Sequence, residues 1–155
     1  MRKELHSFEV EIFDSLRELP EDERALIEES MRAKGFAYMP YSNFKVGAAV
    51  LAGEMFGGSN QETAVYNGTH AERSALDRAA QSGKKGLISK IAIVGDAENP
   101  LTPCGPCRQD IKEVEDLAGS PIVILMAGSS GEVWRVLGID GLLPLAFGPA
   151  NLKNS

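Results

Sequence analysis

Cysteine is scarce in this chain of 155 residues: there are two, Cys104 and Cys107, both inside "PCGPCRQD". So few exclude a disulfide framework, and their C-x-x-C spacing leaves metal binding or thiol redox chemistry. Long apolar runs are missing as well. "PIVILMAG" (121–128) falls far short of a membrane span, so no membrane partner is expected. The N-terminal "MRKELHSFEVEIF" lacks the apolar stretch of a signal peptide, so the expected location is cytoplasmic. Positive charge is thin. Sixteen Lys and Arg against 22 Asp and Glu give a net charge of −6, with no basic cluster beyond "GKKG" (83–86). A polynucleotide partner needs a cationic face, so a small-molecule substrate is expected instead. No internal repeat or low-complexity linker divides the chain, and its length suits one domain over 1–155.

What is present reads as alternating strands and helices. "SFEVEIF" (7–13) alternates Phe8, Val10 and Ile12 with polar residues, as an edge strand with one buried face would. It lies in an N-terminal extension, 1–18. "LPEDERALIEESMRAKG" follows with helix punctuation: Pro20 for the first turn, an acidic start, Gly35 at the stop, and Leu26, Ile27 and Met31 as the inner face. "FKVGAAVLAGEMFGGSN" predicts a β-hairpin turning near Gly53, with Gly57 and Gly58 closing its second strand. A helix is predicted over 70–82, capped by Thr69 and ended by Gly83. A buried strand over 87–96 and a helix from about Cys104 to Ala118 come next. Two strands, in "PIVILMAG" and "EVWRVLG", and a short closing helix in "IDGLLPLAF" (139–147) complete the order. This alternation implies an α/β protein whose mixed sheet is covered by helices.

Two strand-to-helix handovers carry the chemistry, "TH" at 69–70 and "PC" at 103–104. Alone, His70 reads as an ordinary surface or core histidine and Glu72 as a favourable charge at a helix start. Together they form H-x-E, some thirty residues ahead of P-C-x-x-C, the signature of zinc deaminases. His70, Cys104 and Cys107 give a zinc ion three protein ligands and leave its fourth position open for water. Cys104 and Cys107, three apart, share one face of a helix's first turn, where thiolates are favoured. Glu72 stands two residues from His70, in reach of that water as a proton carrier without being a ligand. A thioredoxin-like reading of C-G-P-C wants an earlier position in the chain and a preceding Trp. The single tryptophan, Trp134, follows the motif by 27 residues.

Over roughly residues 20–147 the chain resembles the short, nucleoside-acting cytidine deaminases. "AYMPYSNFKVGAAV", "GGSNQET", "THAERSAL" and "TPCGPCRQ" carry the likeness. The resemblance implies a three-layer α/β/α fold around a mixed sheet of about five strands, and one Zn2+ per chain. It implies hydrolytic deamination of cytidine or deoxycytidine to uridine or deoxyuridine plus ammonia, in pyrimidine salvage. A modified or N4-substituted cytidine, or a blasticidin-type cytosine nucleoside, is the alternative substrate. By the same resemblance Phe44 packs on the pyrimidine, and Asn60 and Glu62 bind ribose and base. Ala71 offers backbone groups to the base edge, and the Thr102 carbonyl accepts from the departing amino group. Phe147 and Tyr66 reach into a neighbouring subunit's site, in a homo-oligomer expected to be a tetramer rather than a dimer.

The chain also departs from that pattern. His70 stands where the short form has Cys, while Arg73, one turn on, is kept. A His and two thiolates leave the site less negative, so Arg73 makes it relatively more positive, which either lowers the pKa of the water or is absorbed by rotation of Arg73 toward Cys107. The loop before His70 is one residue short, and Thr63 stands where Asn is common.

Overall fold

The computed structural model describes residues 1–65 and 67–152. Six strands form one sheet: β1 (Glu11–Phe13), β2 (Val46–Leu51), β3 (Met55–Ser59), β4 (Lys90–Gly95), β5 (Val123–Ala127) and β6 (Val133–Leu137). Their order is β1-β6-β5-β4-β2-β3. Only β4 and β5 run parallel; every other neighbouring pair is antiparallel. The count of six exceeds the expected five or so by the N-terminal strand, added beside β6.

Alternation along the strands sorts the core into two layers. On one face Ala48 and Val50 of β2, Ile91 and Ile93 of β4, and Ile124 and Met126 of β5 pack under α2 (Ala71–Gln81) and α3 (Gly105–Ala118). On the other, Ala49, Ala92, Val94, Leu125 and Ala127 pack under α1 (Glu21–Lys34). The architecture is the three-layer α/β/α arrangement expected. The parallel β4–α3–β5 crossover directs both helices' N-termini to the end of the sheet where strands give way to helices.

Several local expectations are corrected. In α1, Met31 is exposed, and the inner face is made by Leu26, Ile27, Ser30 and Ala33 with the buried carboxylate of Glu23. Small residues win there because the helix lies close to the strand backbone, and Ser30 reaches it through a hydrogen bond to the Ala92 carbonyl, 3.2 Å. Pro20 is the residue before α1 rather than in its first turn. Gly57 and Gly58 lie within β3 instead of closing it. The N-terminal strand is three residues long, and Phe8, Val10 and Ile12 are exposed. Its register puts Phe13 toward the α1 layer while Glu11 pairs with Arg135 of β6, 3.0 Å. β4 begins only at Lys90, after a 3-10 turn over Lys85–Leu87.

Residues 139–147 form turns, not a closing helix. Leu145 takes a left-handed backbone conformation after Pro144, which stops helical propagation. Arg108 Nη1 instead donates to the Leu142 carbonyl (2.6 Å) and Gln109 Nε2 to the Phe147 carbonyl (2.8 Å), binding this segment to α3. A 3-10 turn over Pro149–Asn151 follows. Among the described residues no helix is long and apolar enough to cross a membrane.

Candidate active site

The site is assembled where α2 and α3 begin. Thr69 does not cap α2, because its backbone pairs with Gln61: Thr69 N–H to the Gln61 carbonyl, 2.8 Å, and Gln61 N–H to the Thr69 carbonyl, 2.9 Å. His70 therefore takes the capping position. It makes no side-chain capping bond, and its ring turns toward α3. Cys104 holds the equivalent position on α3, Pro106 lies within the first turn, and Cys107 closes that turn. His70 Nδ1 lies 3.2 Å from both sulfurs, and the two sulfurs are 3.5 Å apart. The sulfurs are unbonded, both cysteines being free.

These three groups could hold one metal ion, since one donor atom from each lies within 4.8 Å of the others. Bonds of about 2.3 Å to sulfur and about 2.0 Å to nitrogen put the donors of a tetrahedral zinc about 3.5–3.8 Å apart. The observed edges need only a slight outward movement. Burial pushes the Cys107 thiol far above its ordinary value of 9.0, and the Glu72 carboxylate and Cys104 add to the shift. Two sulfurs and a carboxylate crowded together call for a cation, and the N/S donor set suits zinc.

Glu72, only 5% exposed, stands in the first turn of α2 and lines a cleft of about 600 Å³ together with His70, Ala71, Thr102 and Cys104. The far wall is built by the loop before β2 and the end of β3. Phe44 is half-buried in that wall. The Asn60 amide clamps the wall's backbone, with Oδ1 accepting from Val46 N–H and Nδ2 donating to the Phe44 carbonyl, both 2.9 Å. Glu62 Oε2 accepts from the backbone N–H of Tyr41 (2.9 Å) and Ser42 (3.1 Å). The Ser42 hydroxyl and these two N–H groups hold the Glu62 carboxyl below its ordinary value of 4.5. Asn60 and Glu62 thus line the cleft and also hold its wall in shape. Thr63 lines it too, its hydroxyl bonded to the Asn67 side chain at 2.5 Å.

The family model for the cytidine and deoxycytidylate deaminase zinc-binding region matches residues 20–118. The chain belongs to this family. It is 38% identical over 129 residues to a cytidine deaminase of Halalkalibacterium halodurans, covering 81% of this chain and 94% of that protein. A cytidine deaminase of Sporosarcina psychrophila is 37% identical over 135 residues, 85% of this chain and 96% of the relative. The crystal structure of cytidine deaminase from Burkholderia pseudomallei superposes with a TM-score of 0.73 at 40% identity, over 79% of this chain and 97% of that one. For the Mycobacterium tuberculosis enzyme the values are 0.67 and 32%, over 82% and 98%. Membership makes zinc the expected metal for the His70, Cys104 and Cys107 group of this deaminase.

Phe147, Tyr66 and Arg73 complete the expected set. Phe147 is 57% exposed and does not line the cleft of its own chain. Tyr66 lies outside the described residues. Arg73 does not turn to Cys107. It donates through Nε and Nη2 to both carboxylate oxygens of Asp110, at 2.9 and 2.6 Å. Asp110, Ser42 and Tyr41 were not singled out from the sequence. Asp110 alone had a usable signal there: it follows Cys107 by three residues, as Arg73 follows His70.

Proposed function

We propose that this chain, acting as one domain, deaminates cytidine and deoxycytidine hydrolytically, giving the uridine and ammonia, with His70, Cys104 and Cys107 holding one zinc. The observation that carries the reading is the buried Glu72 carboxylate, set beside those three donors and open to a cleft sized for a nucleoside. Zinc supplies a Lewis acid there, lowering the pKa of a water toward neutrality. Glu72 would take a proton from the attacking water as the water oxygen bonds to C4 of the cytosine ring, and pass it to N3. Glu72 then takes the remaining hydroxyl proton at C4 and delivers it to N4, so that the C4–N4 bond breaks, the C4 carbonyl forms and the amino group leaves as ammonia. Phe44 supports the ring from the cleft wall. Asn60 and Glu62 bond the ribose hydroxyl and the base, the backbone of Ala71 meets the base edge, and the Thr102 carbonyl accepts from the amino group.

The charge of the cleft favours a nucleoside over a nucleotide. Glu62 and Glu72 line it, and no Lys or Arg does among the described residues. A 5′-phosphate would meet carboxylates rather than a clamp. In this reading Phe147, exposed and anchored to α3 by Gln109, belongs to the site of a second copy in a homo-oligomer, and the protein works in the cytoplasm in pyrimidine salvage.

The test is ammonia release by the zinc-loaded protein from cytidine, deoxycytidine, their 5′-phosphates and N4-substituted or blasticidin-type cytosine nucleosides. The free nucleosides should be turned over. Glu72→Gln should lower kcat by at least about 10²-fold, the span of general acid–base catalysis, with one zinc per chain retained. Near-normal turnover by that variant would refute the role of Glu72.

A further inference from the structure

The metal donors sit on two helices, and each helix carries one charged residue three positions beyond a donor. Arg73 follows His70 on α2, and Asp110 follows Cys107 on α3. Helical spacing sets each about one turn from its donor, with about 5–6 Å between Cβ atoms. The two meet in a bidentate pair, Nε to Oδ2 at 2.9 Å and Nη2 to Oδ1 at 2.6 Å. Asp110 is the more enclosed partner, its side chain 20% exposed against 53% for Arg73. The groove that holds them also receives Asp77 and Lys85 from the α2 side and Glu113 from α3.

Arg73 stands one helical turn beyond the metal donor His70, and the anion it engages is the Asp110 carboxylate. A guanidinium donating to a metal-bound thiolate withdraws electron density from the sulfur and weakens it as a ligand. The charge count points the same way. Zn2+ with two thiolates and a neutral imidazole is formally neutral, so an uncommitted Arg73 leaves a net positive charge beside a cation. The pair with Asp110 cancels that charge and commits Nε and Nη2 of the guanidinium to the carboxylate.

We propose that Asp110 is a positioning residue of the metal site: it engages Arg73 and keeps the guanidinium off the Cys104 and Cys107 thiolates, so that a zinc held by one His and two Cys is retained. This rests on the zinc site read above. Asp110 touches neither metal nor substrate and acts only through Arg73.

The experiment measures the rate of zinc loss from the full-length zinc-loaded protein to an excess of chelator, with far-UV circular dichroism as a check of folding. Wild type, Asp110→Asn, Asp110→Glu, Arg73→Gln and the Arg73→Gln/Asp110→Asn double variant are compared. Asp110→Asn should release zinc about 10-fold faster or more, the range expected when a partner behind the metal ligands is lost. Asp110→Glu keeps the pair, and the double variant removes the guanidinium with its restraint, so both should release zinc within about threefold of wild type. A pair that merely ties two helices together would be lost in the double variant as well. A double variant as labile as Asp110→Asn would therefore overturn the proposal, as would an unchanged rate in Asp110→Asn. Asp110→Ser serves as the neutral variant if Asp110→Asn does not fold. Wild type that binds no zinc would overturn the site assignment, an outcome distinct from either of these.

Discussion

Adjacent glycines on β3 should differ sharply in what they tolerate. Gly58 faces α2 and Gly57 faces α1. A Cβ on Gly58 would lie 2.4 Å from Ala75 N, 2.6 Å from the Ala71 carbonyl oxygen and 2.9 Å from Ser74 C, all backbone atoms. Ordinary contact begins near 3.4 Å, so Gly58→Ala requires the first turn of α2 to retreat by about 1 Å. That turn carries Glu72 and follows directly on His70. Overpacking of this kind costs about 1–3 kcal/mol of stability. A displacement of about 1 Å at reacting groups costs about 10²-fold in rate. On Gly57 the new Cβ would meet Glu29 Oε1 at 2.5 Å and Ala33 Cβ at 3.1 Å. Glu29 can swing aside. Its bonds to Arg32 are at the surface, where such a pair is worth about 0.2–1 kcal/mol, and α1 carries no residue of the site. Urea melts and ammonia-release kinetics on both variants provide the assay. Gly58→Ala should lose about 10²-fold in kcat/KM, and Gly57→Ala should stay within about threefold of wild type. Gly58→Ala with wild-type kcat/KM would refute the claim that β3 backbone contact sets the height of α2.

The further predictions concern two carboxylates that hold the fold. Glu115 accepts from Ile122 N–H (2.9 Å) and Ile139 N–H (3.1 Å), so Glu115→Ala should cost about 1–3 kcal/mol for each N–H left unpaired, read by urea melts. Burial pushes its carboxyl above the ordinary 4.5, so the native state binds the extra proton and wild-type stability from this group falls as pH rises through that window. Glu115→Gln, which cannot ionise, should therefore gain on wild type as pH rises above the ordinary 4.5. Asp96 behaves oppositely. The Lys34 ammonium, 2.8 Å away, holds its carboxyl below 3.8, with Lys45 N–H helping. Its contribution is present above the unfolded value and lost as pH falls through the folded one. Asp96→Asn should then be less stable than wild type at neutral pH, by under about 1 kcal/mol given its exposure, and equal to it in acid.

Much of the site was legible in the chain because its chemistry is local. His70 and Glu72 are two residues apart and Cys104 and Cys107 three apart, so each pair is placed by one helix start. The loop pair of Asn60 and Glu62 did reach the cleft, but the sequence held no sign that both side chains would also bond backbone across the wall. Expectations failed where neighbours in space overrule local preference. Met31 is more apolar than Ser30, yet Ser30 faces the sheet because only a small side chain fits against it. Ile12 stays exposed because the pairing of Glu11–Phe13 with β6 turns Phe13 to the core instead. The segment 139–147 carries enough leucine for a helix, but Pro144, Leu145 and the side chains of Arg108 and Gln109 hold it in turns.

The sequence by itself determined the family, since H-x-E followed by P-C-x-x-C lies within the match to the cytidine and deoxycytidylate deaminase zinc-binding region. It also determined the α/β class, through strand and helix periodicities that need no partner to be read. Only the tertiary structure decided which partner Arg73 takes. Arg73 and Asp110 are 37 residues apart in the chain. Their meeting depends on α2 and α3 lying side by side on one face of the sheet, a placement set by the β4–α3–β5 crossover and by the room that Gly58 leaves for α2.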